Sequence, residues 1–357
     1  MSAAKKASTG RVAFLLNQNA KSVTQSEIQH LASLIPSGDL YFSKSLLEAE
    51  RHIETIMQKD YAYLFSGGGD GTVVSTINLL STYAKKHPHR LIPRQGVLRL
   101  GTGNALARLL GAQKPEDDIK AILGGKNLKP LLVSMVETAE GQLTPFAGIG
   151  YDGELMNDFE AVKKIYSAGP LRKFFSSFLG FTIAGLFRTI PRQARKPAAQ
   201  VIIRSSACAY RICRIKNKDE EIFIDQGAHL YEGAAPLICV GTIASLGYGI
   251  KMFPFAYKRP GYMHLRIAAV PLPTALANFY PGIWQGTFRH PKLFDFLVKD
   301  VSIESSQELP YQFAGDAMGY KKKLFFKISS QPVAMAALEN QAQLINLPPQ
   351  PLLTPLR

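Results

Sequence analysis

Residues 61–84 read YAYLFSGGGDGTVVSTINLLSTYA, and this stretch decides the fold. Tyr61 to Phe65 is a short apolar run bounded by glycine, the mark of a buried strand. Ser66 to Gly71 is a glycine-rich turn that holds one acid, Asp70. From Thr72 the apolar residues Val73, Ile77 and Leu80 fall at helical spacing. Strand, glycine turn and helix in succession form a phosphate-binding geometry. Glycine lacks the Cβ atoms that would hold an anion away from backbone N–H groups converging at a helix start. The plain alternative is a tight strand-to-helix connection, with Asp70 as a helix-capping acid.

The flanking chain repeats this rhythm. Arg11 to Asn17 is a strand apolar enough to be buried on both faces. A polar turn follows, then a helix from about Thr24 to Leu34, a short strand Leu40–Phe42 ending at Ser43, and a helix from Leu46 to Gln58. After the glycine stretch, Val97–Leu100 is a strand, and Gly101-Thr102-Gly103-Asn104 turns into a helix over Ala105–Leu110. Strands alternating with helices predict a Rossmann-like α/β domain with a parallel sheet over about 11–130. Ligands of such sheets sit at the carboxyl ends of the strands. Asn17, Ser43, Gly67, Gly68, Gly69, Asp70, Gly71, Thr72, Thr102, Gly103 and Asn104 all fall there and are the candidate nucleotide-binding residues.

From about Leu131 the texture changes to short β-rich segments such as LLVSMVET, AAQVIIRSS, YRICRIKN, PLICVGT and MHLRIAAV. They predict a C-terminal antiparallel β-sandwich domain over about 131–330, with a helical insertion at 155–190. Residues 331–357 form a tail with a helix-like piece, Val333 to Gln343, expected to pack back on the first domain.

The chain has 357 residues, enough for two cores; 46% are hydrophobic and 19% charged, which excludes a disordered chain. The formal net charge is +15, and between Leu155 and Lys216 basic residues outnumber acids twelve to two. Such an excess favours an anionic partner. Cys208, Cys213 and Cys239 have no zinc or redox spacing and read as thiols of a reducing compartment. The N-terminus lacks a secretory pattern, and no uncharged apolar run reaches the roughly 20 residues that span a bilayer. The expected location is cytoplasmic, with peripheral membrane association.

Gly68-Gly69-Asp70-Gly71-Thr72 resembles the nucleotide signature of the diacylglycerol kinase catalytic-domain superfamily, which includes sphingosine and ceramide kinases and, more distantly, NAD kinases. Further segments resemble that family in order: Asn17, Ser43 in place of a threonine, LGTGNALAR at Leu100–Arg108, FAGIGYDGE at Phe146–Glu154, GYGIKMFPFAYKRPGYMHLRI at Gly247–Ile267, and YQFAGDAMG at Tyr311–Gly319. The chain departs from the pattern at Gln18, Val74, Ser75, Ala105, Pro260 and Ala314. Pro260 stands where many bacterial relatives hold a structural Mg²⁺ through an Asp, so that ion is not expected, and Lys258 or Arg259 is expected to supply the positive charge.

The resemblance implies an ATP-dependent lipid kinase that moves the γ-phosphate to a hydroxyl of diacylglycerol or a related lipid, in phospholipid metabolism. ATP and Mg²⁺ are the implied cofactors. The glycine-turn amides and Thr72 would hold the phosphates, with Thr102 and Asn104 closing the other side. Asp70 would carry Mg²⁺ through water or orient the acceptor hydroxyl, and Asp316 would accept its proton. For Asp316 the bland reading is a β-turn acid; for Asp152 and Glu154 it is a turn or salt-bridge role. No histidine shows ligand spacing, and Trp284 reads as packing.

In GPLRKFFSSFLGFTIAGLFRTIP, Gly169–Pro191, large apolar residues share a helical face bracketed by Arg172, Lys173 and Arg188. This is the pattern of a helix lying in an anionic membrane interface, with Arg172, Lys173, Phe174, Phe175 and Phe178 as contacts; a domain-packing helix is the alternative. The expected partners are a lipid substrate and an anionic membrane surface. Nucleic acid is not expected, since no recognition motif is present, and a homodimer is left open. Two other functions remain: an NAD-kinase-like enzyme on a soluble hydroxyl, and a degenerate kinase that binds lipid or nucleotide without turnover.

Overall fold

The computed structural model of the chain describes residues 10–19, 24–166, 178–193 and 198–338. The contacts divide it into two compact units, one built from the chain up to Leu132 and again from Ala334, the other from Val133 to Val333.

In the first unit the strands are β1 (Val12–Asn17), β2 (Leu40–Ser43), β3 (Tyr63–Gly68), β4 (Arg94–Arg99) and β5 (Leu128–Val133). The helices are α1 (Gln25–Ser33), α2 (Leu46–Gln58), α3 (Asp70–Lys86), α4 (Ala105–Leu109) and α5 (Pro115–Leu123). β1 pairs in parallel with both β2 and β3, and β3 with β4. The sheet order is β2-β1-β3-β4, then Val333–Leu338, then β5. Successive residues of β1 point to opposite faces. Phe14 and Leu16 pack with Leu98, Ile119 and Ile122 on one side, and Ala13 and Leu15 with Ile53, Ile56 and Leu64 on the other. That two-sided burial explains why the strand reads as a continuous apolar run. α1 starts at a capping box: the Thr24 side chain accepts from Glu27 N while the Glu27 carboxylate accepts from Thr24 N.

Two expectations about the elements change. The glycine turn is far shorter than the sequence suggests. β3 runs on through Ser66, Gly67 and Gly68, α3 already begins at Asp70, and only Gly69 lies between them. Of the C-terminal piece expected as helix over Val333–Gln343, Val333–Leu338 is a strand, parallel to β4 with Met335 opposite Gln95, and the remainder lies outside the described residues. An apolar run with no polar face carries no period; burial of Met335, Ala336 and Ala337 inside the sheet selects the strand.

The second unit is antiparallel. Its strands are β6 (Val136–Thr138), β7 (Leu143–Thr144), β8 (Phe146–Gly150), β9 (Gln200–Arg204), β10 (Ala209–Ile215) and β11 (Lys218–Ile224). They continue as β12 (His229–Ala234), β13 (Leu237–Gly241), β14 (Met263–Ala268), β15 (Leu293–Val298), β16 (Asp300–Phe313) and β17 (Asp316–Ile328). The main path is β11-β10-β15-β14-β13-β8-β16-β17-β6-β7, and β9 joins β16 on one side and β12 on the other. β16 shifts register between Glu304 and Leu309, and it pairs with β9 before that point and with β8 after it. Val201 and Ile203 of β9 share one core with Ile238, Leu265, Ile267 and Phe296. The layers of this unit are therefore parts of one ladder turned back on itself at the irregular stretch of β16. α6 (Tyr151–Ile165) and the helical segments Phe178–Ala184, Gly185–Thr189 and Ile190–Gln193 occupy the place of the expected insertion.

Candidate functional site

The candidate nucleotide loops meet at backbone level. Gly69 caps α3 with no side-chain hydrogen bond, so the first amides of that helix have no intrahelical acceptor and no competing cap. A Cβ on Gly101 would lie 2.2 Å from Gly69 Cα and 3.0 Å from Gly68 O. Only glycine at 101 lets the two turns touch, and their contact makes one continuous rim of β3–α3 and β4–α4. Beyond Gly101, Thr102 and Gly103 are half-buried, and Asn104 is buried in the left-handed region with φ 56°. Asn104 Oδ1 accepts from Gly101 N at 3.0 Å and its Nδ2 donates to Gly101 O, closing the turn on itself. Asparagine tolerates that backbone better than other side chains.

Asp70 joins the two turns. Its Oδ2 accepts from Ala105 N at 3.0 Å and its Oδ1 from Leu106 N at 3.1 Å. The acid at the head of α3 thus caps the start of α4. The sequence reading offers Asp70 either a catalytic or water-mediated metal role, or a cap on its own helix. The structure engages both carboxylate oxygens in holding the second turn, which makes Asp70 first a positioning residue.

Asn17 and Thr72 are brought together as well. Asn17 Nδ2 donates to Thr72 Oγ1 at 2.9 Å, and Asn17 Oδ1 accepts from Asn19 N. Ser43 stands opposite Asn17 in the β1–β2 register, is buried, and accepts from Gln18 N through its carbonyl. The Thr72 side chain folds over Gly68, where an added Cβ would lie 2.5 Å from Thr72 Oγ1. Gln95, absent from the sequence reading, is buried under this rim: its Nε2 donates to Ser66 Oγ and Val73 O, each at 3.1 Å, fastening β4 to β3 and α3. An isolated Gln in a strand gives no signal of that role.

In the second unit, Asp316 begins β17 directly after the two-residue turn Ala314-Gly315, with φ 51° and 87°. Paired left-handed residues form the turn that suits the twist of a tight hairpin. Asp316 is exposed. The turn is held from behind by Gln312, whose Oε1 accepts from Gly315 N at 2.7 Å while its Nε2 donates to Asp152 Oδ2 at 2.7 Å. A Cβ on Gly148 would overlap Asp152 Oδ2 at 1.7 Å, so the glycine of the GIGYD segment makes room for this carboxylate. Burial raises the Asp152 pKa, and the hydrogen bond from Gln312 opposes that shift. Both segments are visible in the sequence as motifs, but nothing there pairs them.

Glu154 and Asp158 on α6 are buried and are met by arginines of the following helical segments. Arg192 reaches Glu154 Oε1 at 2.8 Å and Asp158 Oδ1 at 3.0 Å, and Arg188 lies 3.9 Å from Asp158. Thr189 Oγ1 donates to Asp158 Oδ2. Part of the local basic excess is therefore neutralised within the protein. Arg172, Lys173, Phe174 and Phe175 lie outside the described residues, and Phe178 opens the helical segment Phe178–Ala184. Beyond them, Phe187 is 75% exposed.

At the Pro260 segment, Arg259 Nε and Nη2 donate to Glu221 Oε2 at 2.9 and 2.7 Å, and the guanidinium lies 3.8 Å from the Tyr210 ring centroid. Lys258 Nζ approaches Glu221 at 3.9 Å. A cation–carboxylate pair therefore occupies this turn. Among the described residues no cluster of three or more His, Cys, Asp or Glu side chains is arranged to hold a metal.

Residues 11–135 match the family model described as the diacylglycerol kinase catalytic domain. The match sets the class of the first unit, which is similar to that catalytic domain. Among curated proteins it is similar to a diacylglycerol kinase of Staphylococcus carnosus, 22% identical over 283 residues, covering 78% of each chain. A diacylglycerol kinase of Staphylococcus epidermidis is likewise 22% identical, over 78% of this chain and 75% of that protein. Among solved structures, a diacylglycerol kinase from Bacillus anthracis superposes with a TM-score of 0.55 at 16% identity, over 92% of this chain and 96% of that one. The chain thus shares the fold of that structure. No helix among the described residues is long and apolar enough to cross a membrane.

Proposed function

We propose that this chain is an ATP-dependent lipid kinase that transfers the γ-phosphate to a hydroxyl of diacylglycerol or a related lipid at a membrane surface. The observation that carries the reading is the backbone contact of Gly69 with Gly101 beside the uncapped start of α3. Such a rim offers amide donors and a helix N-terminus to a polyphosphate. Asn17 and Thr72 would orient the phosphates from the β1 side, and Thr102 and Asn104 from the β4 side. Bound Mg²⁺ would neutralise phosphate charge, as it does when it arrives with ATP. Asp70 would keep the two turns in register, and Asp316, exposed on its hairpin, would take the proton of the acceptor alcohol. The curated relatives, diacylglycerol kinases, favour a lipid acceptor. Exposed Phe187, following the apolar basic stretch, supports a membrane contact with Arg172, Lys173, Phe174, Phe175 and Phe178 in it.

The test is transfer of label from γ-labelled ATP, with Mg²⁺, into a total lipid extract, comparing wild type with Asp316→Asn. A labelled lipid that is lost in the variant supports the reading and identifies the substrate. Equal labelling by both would remove Asp316 as the base. Absence of label in every lipid would favour the second reading, binding without turnover, to which Ala314 and the Arg259–Glu221 pair lend support. Replacement of Phe174, Phe175 and Phe178 by Ser is expected to weaken sedimentation with anionic vesicles; unchanged sedimentation would leave a packing helix.

A further inference from the structure

An open depression of about 370 Å³ lies in the second unit, lined by Arg214 of β10 and by Asn278, Gly282, Thr287, Phe288 and Arg289 of the segment before β15. No acid lines it. Arg289 is fixed in place: Nη1 donates to Gly286 O at 3.0 Å and Phe288 O at 2.9 Å, Nη2 to Asp219 Oδ2 at 3.1 Å, and the guanidinium lies 5.0 Å from the Phe255 ring centroid. Its Nε–H is buried and has no partner among the described residues. Arg214 is exposed, and the acid opposite it across the ladder is this same Asp219, already engaged by Arg289. Asn278 Nδ2 donates to Thr274 O at 2.8 Å. Two arginines, a threonine and an asparagine thus line the depression, and the acid beside them, Asp219, accepts from Arg289 through Oδ2 while its buried Oδ1 has no partner among the described residues.

We propose that this depression binds a phosphate group carried on a small polar head, as a phosphomonoester or phosphodiester, separately from the glycine turns. Arg214 offers the guanidinium fork that matches phosphate oxygens in pairs, and Arg289, whose Nη groups are engaged, adds a fixed positive charge and one unpartnered buried N–H, at Nε. The volume exceeds that of one phosphate and admits a glycerol-sized head. The same chemistry comes from a soluble ester or from a phospholipid headgroup. Tyr280, 72% exposed, and Leu276, 43% exposed, flank the lining residue Asn278 in the chain and place amphipathic and apolar side chains near it, as an interface contact would.

Trp284, the only tryptophan of the chain, lies in the lining segment, 5.9 Å from the Phe279 ring and 6.2 Å from Tyr280, and serves as the reporter. The full-length protein is titrated with glycerol 3-phosphate, and separately with phosphatidylcholine vesicles with and without phosphatidic acid, following Trp284 emission. A saturable change with glycerol 3-phosphate supports the site with a soluble ester as its ligand. A change only with vesicles containing phosphatidic acid supports it with a headgroup. In either case Arg214→Ala weakens the response about tenfold, while Lys126→Ala in the other unit leaves it in place. No saturable change with either probe, or an undiminished response in Arg214→Ala, overturns the proposal. Neither arm uses ATP or phosphoryl transfer, so its failure is separable from failure of the kinase reading.

Discussion

The carboxylate of Asp70, at the head of α3, accepts the amide of Leu106 in the first turn of α4 at 3.1 Å, and the amide of Ala105 at 3.0 Å. One acid therefore sets the distance between the two glycine turns. Hydrogen bonds to a charged acceptor contribute about 1.5–3 kcal/mol each, and a buried donor left without one is costly. Asp70→Ala is expected to lower stability by about 2–4 kcal/mol and to weaken nucleotide binding. Asp70→Asn keeps one acceptor oxygen and should fall between. Urea unfolding reads both; wild-type stability in the two variants would return Asp70 to a purely catalytic or metal-bound role.

The contact of Gly101 with Gly69 gives a second test. A Cβ at 101 meets backbone, which cannot rotate away, so Gly101→Ala must push the turns apart. Overpacking of this kind costs about 1–3 kcal/mol. Nucleotide affinity measured by calorimetry is expected to drop at least about tenfold, the equivalent of about 1.4 kcal/mol. Gly38→Ala, where nothing lies within 4 Å of the added atom, serves as the neutral control.

Much of the first unit was legible because period and punctuation agreed there. Helix α2 spans Leu46–Gln58 as its pattern predicts, and α1 differs by one residue at each end because Thr24 is its cap. Glycines signal a turn in sequence, yet Gly67 and Gly68 are paired in the sheet opposite Leu98 and Arg99. They are small there for close packing, since a Cβ on Gly67 would meet Leu16 and one on Gly68 would meet Thr72. The strand at Val333–Leu338 was unreadable because its place between β4 and β5 is settled by a sheet formed some two hundred residues earlier in the chain. Site residues at strand ends could be named singly. The bonds joining Asp70 to α4, Gln95 to Ser66 and Gln312 to Asp152 are tertiary pairings with no spacing to announce them.

Asp152 makes stability depend on pH in a direction opposite to most carboxylates. Burial raises its pKa, so its contribution to folding is full below the unfolded value of about 3.9 and is lost as pH climbs through the higher folded value. Asp152→Asn preserves a carbonyl acceptor for Gln312 and removes the buried charge. It is expected to be more stable than wild type at pH 7, with the difference shrinking toward pH 4. Thermal melts across that range check the sign, and a variant less stable than wild type at neutral pH would show that the charged form is the one the fold favours.

The buried cluster of Asp295 with Arg266 and His264 behaves the other way. Asp295 Oδ1 accepts from Arg266 Nε at 2.7 Å and lies 2.9 Å from His264 Nε2, and Oδ2 accepts from Arg266 Nη2 at 3.0 Å. Burial alone would raise the Asp295 pKa, but the Arg266 charge, with the hydrogen bond to His264, outweighs it and holds it well below the usual carboxylate range. Its contribution is therefore present above the unfolded value and is lost as pH falls from about 4. Burial lowers the His264 pKa, so the neutral ring is the folded form and acid works against it too, starting near the unfolded value of about 6.5. Asp295→Asn leaves the Arg266 charge buried without its partner, and removal of one member of such a pair costs about 3–5 kcal/mol. Urea unfolding at pH 7 should show that loss, and the variant should show a shallower acid-side slope below about pH 4 than wild type. A loss under about 1 kcal/mol would mean that solvent reaches Arg266 once the acid is gone, as at exposed ion pairs.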